Sequence, residues 1–203
     1  MLLLLSLQFQ LINNQSPLEA GLRILPFEIA FLAIGPLSGR LADKYGQSQF
    51  TLSGLALSTV ALFLFSTTSA STPYVVLSIY MILLGVGTGL FVAPNLRAVM
   101  SSVPPERHGI GSALFTLFLN IGLTVSLNFA VLIMSLIAPY DLITQIISAV
   151  NPQAISASAR ALFVASLKNT YLAFAIVNAL AIIPAAFGAR VKKTEGTEPT
   201  TAG

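Results

Sequence analysis

The chain has 203 residues, of which 55% are apolar and only 8% are charged. Average soluble domains carry about 25% charged residues, so this composition excludes an ordinary cytosolic enzyme and a disordered chain. The net charge of +3 comes from scattered residues, and we expect no nucleic-acid partner. With no cysteine and one histidine, the chain lacks the side chains for disulfides, thiolate metal sites or multi-histidine sites, and we expect no metal or cofactor.

Long stretches without charge are the main structural signal. No Asp, Glu, Lys or Arg occurs in residues 45–96, 109–140 or 169–189. A spanning helix needs about 20 mostly apolar residues, and polar residues 66–73 divide the first stretch into two spans. Because runs of this length are too uniform for barrel strands, the chain is predicted to be an all-α integral membrane bundle. Its five predicted spans are Leu18–Leu37, Gln49–Phe65, Tyr74–Ala93, Ile110–Ile137 and Tyr171–Phe187.

The opening segment Met1–Ile12 is apolar but reaches only about 18 Å as a helix, too short to cross a bilayer. It lacks the basic region and the cleavage site of a signal peptide. We expect it to be the end of a span whose beginning is absent. The predicted organisation is a truncated helix and turn over residues 1–15, a helical bundle over 16–189 and a polar, disordered tail over 190–203. Ser16-Pro17-Leu18-Glu19 is typical of a capping box at the start of the first full span.

The positions of Lys and Arg near the span ends predict the orientation. One side of the bilayer holds Arg23, Arg160 and Lys168, and we expect this side to be external. Residues 139–168 then form an external connection, with possible surface helices at Asp141–Val150 and Ser156–Lys168. The more numerous cations fall on the other side, which predicts a cytoplasmic C-terminus and a place in the plasma membrane; they are Arg40, Lys44, Arg97, Arg107, Arg190, Lys192 and Lys193.

Residues 39–46 form the most informative segment, and we expect them to make a tight cytoplasmic loop between two spans. Asp43 is positioned to cap or to face the N-terminus of the following helix, and the simplest interpretation is a short basic loop. The pattern nevertheless resembles the signature loop of the major facilitator superfamily of transporters, through Gly39, Leu41, Asp43, Lys44 and Gly46. In that family two basic residues often follow, whereas Gln47 and Ser48 stand here.

The resemblance continues along the chain. Several further segments follow the order of motifs in the fourteen-span drug:proton antiporter branch. They are residues 16–22 and 25–26 before the loop, and residues 85–90, 94, 103–104 and 109–113 after it. This resemblance implies that the chain is the last six spans of such a protein. It also implies a substrate site near the midplane between two halves. The partners would then be the bilayer, a small-molecule substrate, protons, and either an N-terminal half or a second copy of this chain.

Small residues recur on the span from Tyr74. Gly85, Gly89 and Ala93 lie four residues apart, a spacing that lets another helix approach closely. A dinucleotide-binding loop is excluded, because the glycine spacing is wrong and no strand–helix–strand unit surrounds it.

Polar residues form a stripe on the span from Ile110. Thr116, Asn120, Thr124 and Asn128 recur every fourth residue and share one helix face. In lipid, such a stripe faces protein or a wet cavity. Two interpretations stay open: hydrogen bonding between helices, or the lining of a transport cavity.

Glu28 is the one acidic residue deep in a predicted span. An ionisable residue at this depth is a functional candidate by default, and burial would favour its neutral form, as a proton-coupling group requires. The alternative is a structural acid paired with Arg23, five residues or about 7.5 Å away along the helix.

The predicted function is therefore a secondary transporter, or a C-terminal part of one, that exports small amphipathic molecules in exchange for protons. The alternative is a non-transporting membrane interaction protein or an inactive remnant. We expect no enzyme, because an integral-membrane enzyme requires His, Asp or Glu clustered at one depth, and the sequence has no such cluster.

Overall fold

The computed structural model describes residues 2–12, 15–139 and 157–195. Within these ranges the chain forms α-helices and one 3-10 turn at Pro105–Arg107. Helices α2 to α6 are long and apolar enough to cross a membrane, which confirms the predicted five-span helical bundle. The helices are α1 (Leu2–Ile12), α2 (Pro17–Tyr45), α3 (Gln47–Ser66), α4 (Tyr74–Ser101), α5 (His108–Ser135) and α6 (Ala157–Glu195).

Several helices are longer than the spans that were predicted from the apolar stretches. The separate surface helix expected at Ser156–Lys168 is wrong, because α6 begins at Ala157 and continues without a break through Tyr171. Residues 157–171 contain neither proline nor glycine, so nothing local ends the helix there. The predicted disordered tail is also wrong in part, since α6 extends to Glu195. The surface helix predicted at Asp141–Val150 lies outside the described residues.

The start of α2 is fixed by the predicted capping box. The Glu19 backbone N–H donates to the Ser16 hydroxyl oxygen at 3.3 Å, and the Ser16 backbone N–H donates to the Glu19 carboxylate at 2.8 Å. These two bonds satisfy backbone donors that the first helical turn leaves without partners.

A single residue joins α2 to α3. Gly46 has φ +96° and donates its backbone N–H to the Ala42 carbonyl oxygen at 2.9 Å. This backbone conformation is one that residues with a Cβ rarely adopt. The expected loop over residues 39–46 is therefore wrong: residues 39–45 are the last turns of α2, and the chain reverses at Gly46 alone. We call this end of the bundle the junction end.

Helix packing is uneven across the bundle. Helix α4 lies between α2 and α3, and α3 packs in turn against α6. Helix α5 contacts α6 and α4, but nearly all of its residues from 112 to 125 are exposed. The middle of α5 is therefore little covered by the rest of the described chain.

The apolar core surrounds α1, at the end of the bundle opposite the junction. Leu5 and Phe9 are fully buried, and Gln8 is buried beside them. The Tyr171 hydroxyl donates to the Gln8 side-chain oxygen at 3.0 Å, so this polar pair is satisfied inside the core. Aromatic contacts of Phe9 with Tyr74 and of Phe65 with Tyr171 extend the core to α3, α4 and α6.

Candidate functional site

The signature segment ties α2 to α4 at the junction end. The Asp43 carboxylate pairs with the Arg97 guanidinium, although 54 residues separate them in the chain. Both side chains are about half exposed. The predicted helix cap by Asp43 is wrong, since the α3 N-terminus has no side-chain cap. Gly39 is buried next to this pair, and a Cβ there would lie 3.4 Å from Arg97 Nε.

The remaining signature residues are exposed at this end of α2, namely Leu41, Lys44 and Gly46. The Lys44 ammonium lies 5.3 Å from the centre of the Tyr45 ring. The ion pair also borders an open surface depression of about 460 Å³, which His108 lines from the first turn of α5. The imidazole Nε2 lies 3.0 Å from the Val103 carbonyl oxygen.

The predicted small-residue row of α4 lies against α2. A Cβ added at Gly85 would collide with the Phe27 carbonyl oxygen, and one at Gly89 would lie 3.2 Å from the Gly35 backbone nitrogen. Ala93 continues the row, lying 3.8 Å from a Cβ built on Gly39. The close approach also allows the Ser38 hydroxyl to donate to the Gly89 carbonyl oxygen at 2.8 Å.

A second close contact, absent from the sequence-based prediction, joins α4 to α3. A Cβ at Gly54 would lie 2.6 Å from the Gly87 carbonyl oxygen, and one at Gly87 would lie 2.7 Å from the Ser58 backbone nitrogen. Helix α4 therefore presents glycines on two sides, Gly85 and Gly89 toward α2 and Gly87 toward α3. A signal was present, because Gly54 is the one glycine within α3.

A partly open cavity of about 490 Å³ lies between helices α2 to α6. Its lining is mostly apolar with a few hydroxyls and one amide, and no charged side chain contributes to it. The lining residues are Phe27, Leu55, Ser58, Leu62, Leu84, Thr88, Phe91, Leu123, Ser126, Phe174, Val177, Asn178 and Ala181.

Asn178 is the polar residue of this cavity that the sequence-based prediction missed. Its amide nitrogen donates to the Leu55 carbonyl oxygen and to the Thr59 hydroxyl oxygen, each at 3.1 Å. These bonds join α6 to α3 within the membrane-spanning region. The signal available was the one amide within the predicted span Tyr171–Phe187.

The polar stripe of α5 does not line that cavity, to which α5 contributes Leu123 and Ser126 instead. All four stripe residues are exposed. Three of them bond within their own helix: Thr116 to the Ser112 carbonyl oxygen, Thr124 to that of Asn120, and Asn128 to that of Thr124.

Glu28 lies on an exposed face of α2 rather than inside this bundle. Among the described side chains no basic group lies within 4.0 Å of its carboxylate. Arg23, the proposed structural partner, instead places its guanidinium 4.8 Å from the centre of the Tyr74 ring. None of Glu28, Asn120 and Asn128 is among the residues that line the 490 Å³ cavity.

Five apolar helices long enough to span a membrane, three of them joined by close glycine contacts, define a multi-pass α-helical membrane protein. The chain belongs to the Major Facilitator Superfamily, whose family model matches residues 1–202. Transporters of this family are generally not enzymes.

Curated relatives are transporters from bacteria and fungi. The chain is 25% identical over 126 residues to the riboflavin transporter RibZ of Clostridioides difficile, a match covering 62% of this chain and 28% of that protein. It is 33% identical over 132 residues to the multidrug resistance protein Stp of Mycobacterium tuberculosis, a match covering 64% of this chain and 24% of that protein. It is 28% identical over 120 residues to the methyl viologen resistance protein SmvA of Salmonella typhimurium, a match covering 59% of this chain and 24% of that protein. The matched part of the chain thus spans only about a quarter of each relative.

Proposed function

We propose that this chain is the C-terminal half of a secondary transporter that exports small amphipathic molecules in exchange for protons. Substrate passes between this half and a second helical body, which is either an N-terminal half or a second copy of the chain. The observation that carries the proposal is an ionisable carboxylate, Glu28, on a face of α2 that no described helix covers.

Energetics argue against lipid as the neighbour of this carboxylate. A charged side chain at the centre of a bilayer costs about 2.5–3.5 kcal/mol on insertion scales. Glu28 lies near the middle of α2, and among the described residues no basic side chain lies within 4.0 Å of its carboxylate. Protein or water therefore covers this face in the working transporter, and a carboxylate in such a place can take up and release protons.

The relatives support the substrate class. The names of three of them refer to riboflavin, to multidrug resistance and to methyl viologen resistance, and the two named compounds are small organic molecules. The polar stripe of α5 supports a wet passage on a second uncovered surface, because Asn120 and Asn128 are exposed at membrane depth.

The signature segment supports a cycling role. The Asp43–Arg97 pair fixes the end of α2 on α4 at the junction end, and we propose that contacts of this segment with the other half hold one state of the transport cycle. The junction end is proposed to be cytoplasmic in the plasma membrane, since Arg40, Lys44 and Arg97 lie there.

The test is Glu28→Gln in the complete two-half protein reconstituted in proteoliposomes. Glutamine keeps the size and the hydrogen bonding of the side chain but cannot titrate. We expect substrate binding to persist, proton-driven uphill export to be lost, and the pH dependence of exchange to flatten. Glu106→Gln is the matched control, because Glu106 is exposed in the 3-10 turn outside the spans. Uphill export by Glu28→Gln with an unchanged pH profile would refute the coupling role.

A further inference from the structure

The glycines of α4 hold α2 from Phe27 toward the junction end. A Cβ added at Gly85 would collide with the Phe27 carbonyl oxygen, and one at Gly89 would lie 3.2 Å from the Phe31 carbonyl oxygen. Nearer the junction end, the ion pair of Asp43 continues the attachment to α4. Because the atoms in contact are largely backbone, this docked part of α2 is fixed on α4.

Pro26 stands directly before the docked part of α2. Proline has no backbone N–H, so the Leu22 carbonyl oxygen receives no hydrogen bond from residue 26, and the helix is weakened at this turn. Proline is among the few causes of sharp kinks in helices. The residues Pro17–Leu25 therefore form a helical arm of about 13 Å beyond the docked part. We call this segment the outer arm.

The outer arm packs lightly on the rest of the bundle. Its buried residues are Ala20 and Ile24, and the others are half-buried or exposed. Leu18 and Leu22 are 74% and 56% exposed, and a Cβ added at Gly21 would meet nothing within 4 Å. Little apolar surface is therefore uncovered when the arm moves away from its neighbours.

One side chain of α4, Tyr74, binds the outer arm. Its hydroxyl donates to the Arg23 backbone carbonyl oxygen at 3.2 Å, and the Arg23 guanidinium lies 4.8 Å from the centre of its ring. Among the described residues, no other helix forms a hydrogen bond with the arm. Arg23 lies three residues before Pro26, so the bond is made at the turn that the proline weakens.

We propose that the outer arm swings about Pro26 and that Tyr74 is the latch that holds it closed on α4. A bend of about 20° would move the tip of the arm by about 4–5 Å. Glu28 lies two residues beyond the hinge on an exposed face of α2. The swing opens and closes the approach, from the end opposite the junction, to the passage that Glu28 borders, and this last step rests on the proposed function.

Cysteine labelling of the full chain tests the latch without a transport assay, because the chain has no native cysteine. Ala20→Cys is the reporter, since Ala20 is fully buried while the arm is closed. Its labelling rate with a water-soluble maleimide, in detergent, measures how often the arm opens. Tyr74→Phe removes only the hydroxyl and should raise this rate by about two- to tenfold, as expected for the loss of one hydrogen bond. Tyr80→Phe is the control, because the Tyr80 ring packs on Phe65 of α3, and it should leave the rate unchanged.

The hinge is tested by a matched pair of proline variants. Pro26→Ala restores a backbone donor to the weakened turn and should slow the labelling of Ala20→Cys in the Tyr74→Phe background. Pro36→Ala makes the same change within the docked part of α2 and should not slow it. Because labelling does not depend on transport, these results and those of Glu28→Gln decide the arm and the proposed function separately.

General loosening of the bundle is monitored by Thr68→Cys, since Thr68 is buried in the turn between α3 and α4. Its labelling rate should not respond to Tyr74→Phe. Ile24→Cys, also buried on the arm, is the second reporter if Ala20→Cys fails to fold by circular dichroism. An unchanged rate at the arm reporter in Tyr74→Phe, an equal rise at Thr68→Cys, or equal rates for the two proline variants would overturn the proposal.

Discussion

Gly54 of α3 and Gly87 of α4 face each other so closely that a Cβ on Gly54 would lie 2.6 Å from the Gly87 carbonyl oxygen. The atoms in the way belong to backbone, including the Phe91 nitrogen at 2.7 Å. Backbone cannot yield as a flexible side chain does, so a methyl group at either position forces the two helices apart.

The first prediction concerns this contact. Gly54→Ala is expected to lower the thermal midpoint in detergent, because the cost of overpacking, about 1–3 kcal/mol, exceeds the helix-propensity gain of about 1 kcal/mol. Gly21→Ala is the control, since nothing lies within 4 Å of a Cβ at Gly21, and it should leave the midpoint unchanged or raise it. An equal response of the two variants would contradict the close contact between α3 and α4.

The second prediction concerns the Asp43–Arg97 pair. Because both side chains are about half exposed, we expect a double-mutant cycle with alanine to give only about 0.2–1 kcal/mol of coupling, and 0.5 M salt to reduce it. The measurement is thermal unfolding at low and high salt.

Transport should respond more strongly than stability if the signature segment acts in the cycle. Asp43→Asn in a complete two-half protein is expected to slow turnover more than it weakens substrate binding, with Glu106→Gln, an exposed acid outside the segment, as control. Normal turnover by Asp43→Asn would leave the pair a structural contact only.

The third prediction concerns Asn178, whose amide donates to two acceptors on α3. Asn178→Leu is expected to destabilise the bundle by about 0.6 to 1.7 kcal/mol, the average and the maximum found for hydrogen bonds between membrane helices. Asn128→Leu is the matched control, because the Asn128 amide bonds only within its own helix, and a smaller change in thermal midpoint is expected. An equal fall in the thermal midpoint of Asn128→Leu would show that the hydrogen bonds between α3 and α6 add no specific stability.

The fourth prediction concerns topology. Five spanning helices place position 44 at the end of α2 and position 193 at the end of α6 on the same face of the membrane. Single cysteines at 44 and 193 should be labelled from the cytoplasm, whereas one at Ser71, between α3 and α4, should be labelled from outside. Labelling of 44 and 193 from opposite faces would show that the number of crossings is wrong.

Much of the fold was predictable from local sequence. Lipid offers no partners for backbone groups, so each long uncharged stretch has to be a helix, and the structure has helices at all five predicted spans. The start of α2 was equally local, because the capping box needs only Ser16 and Glu19, three residues apart. The helix ends were missed where polar residues continue a helix beyond the apolar stretch, as at Tyr45 and Ala157.

The contacts between helices were not predictable in the same way, because they depend on how each helix is rotated and how far it is shifted along its neighbours. The pairing of Asp43 with Arg97 and the bonds of Asn178 to α3 join residues far apart in the chain. A shift of one residue turns a helix face by about 100°, enough to move a side chain from protein to lipid. The position of Glu28 along its predicted span could therefore place it at mid-membrane, but only packed neighbours decide that it faces outward from this bundle while Gly87 faces α3.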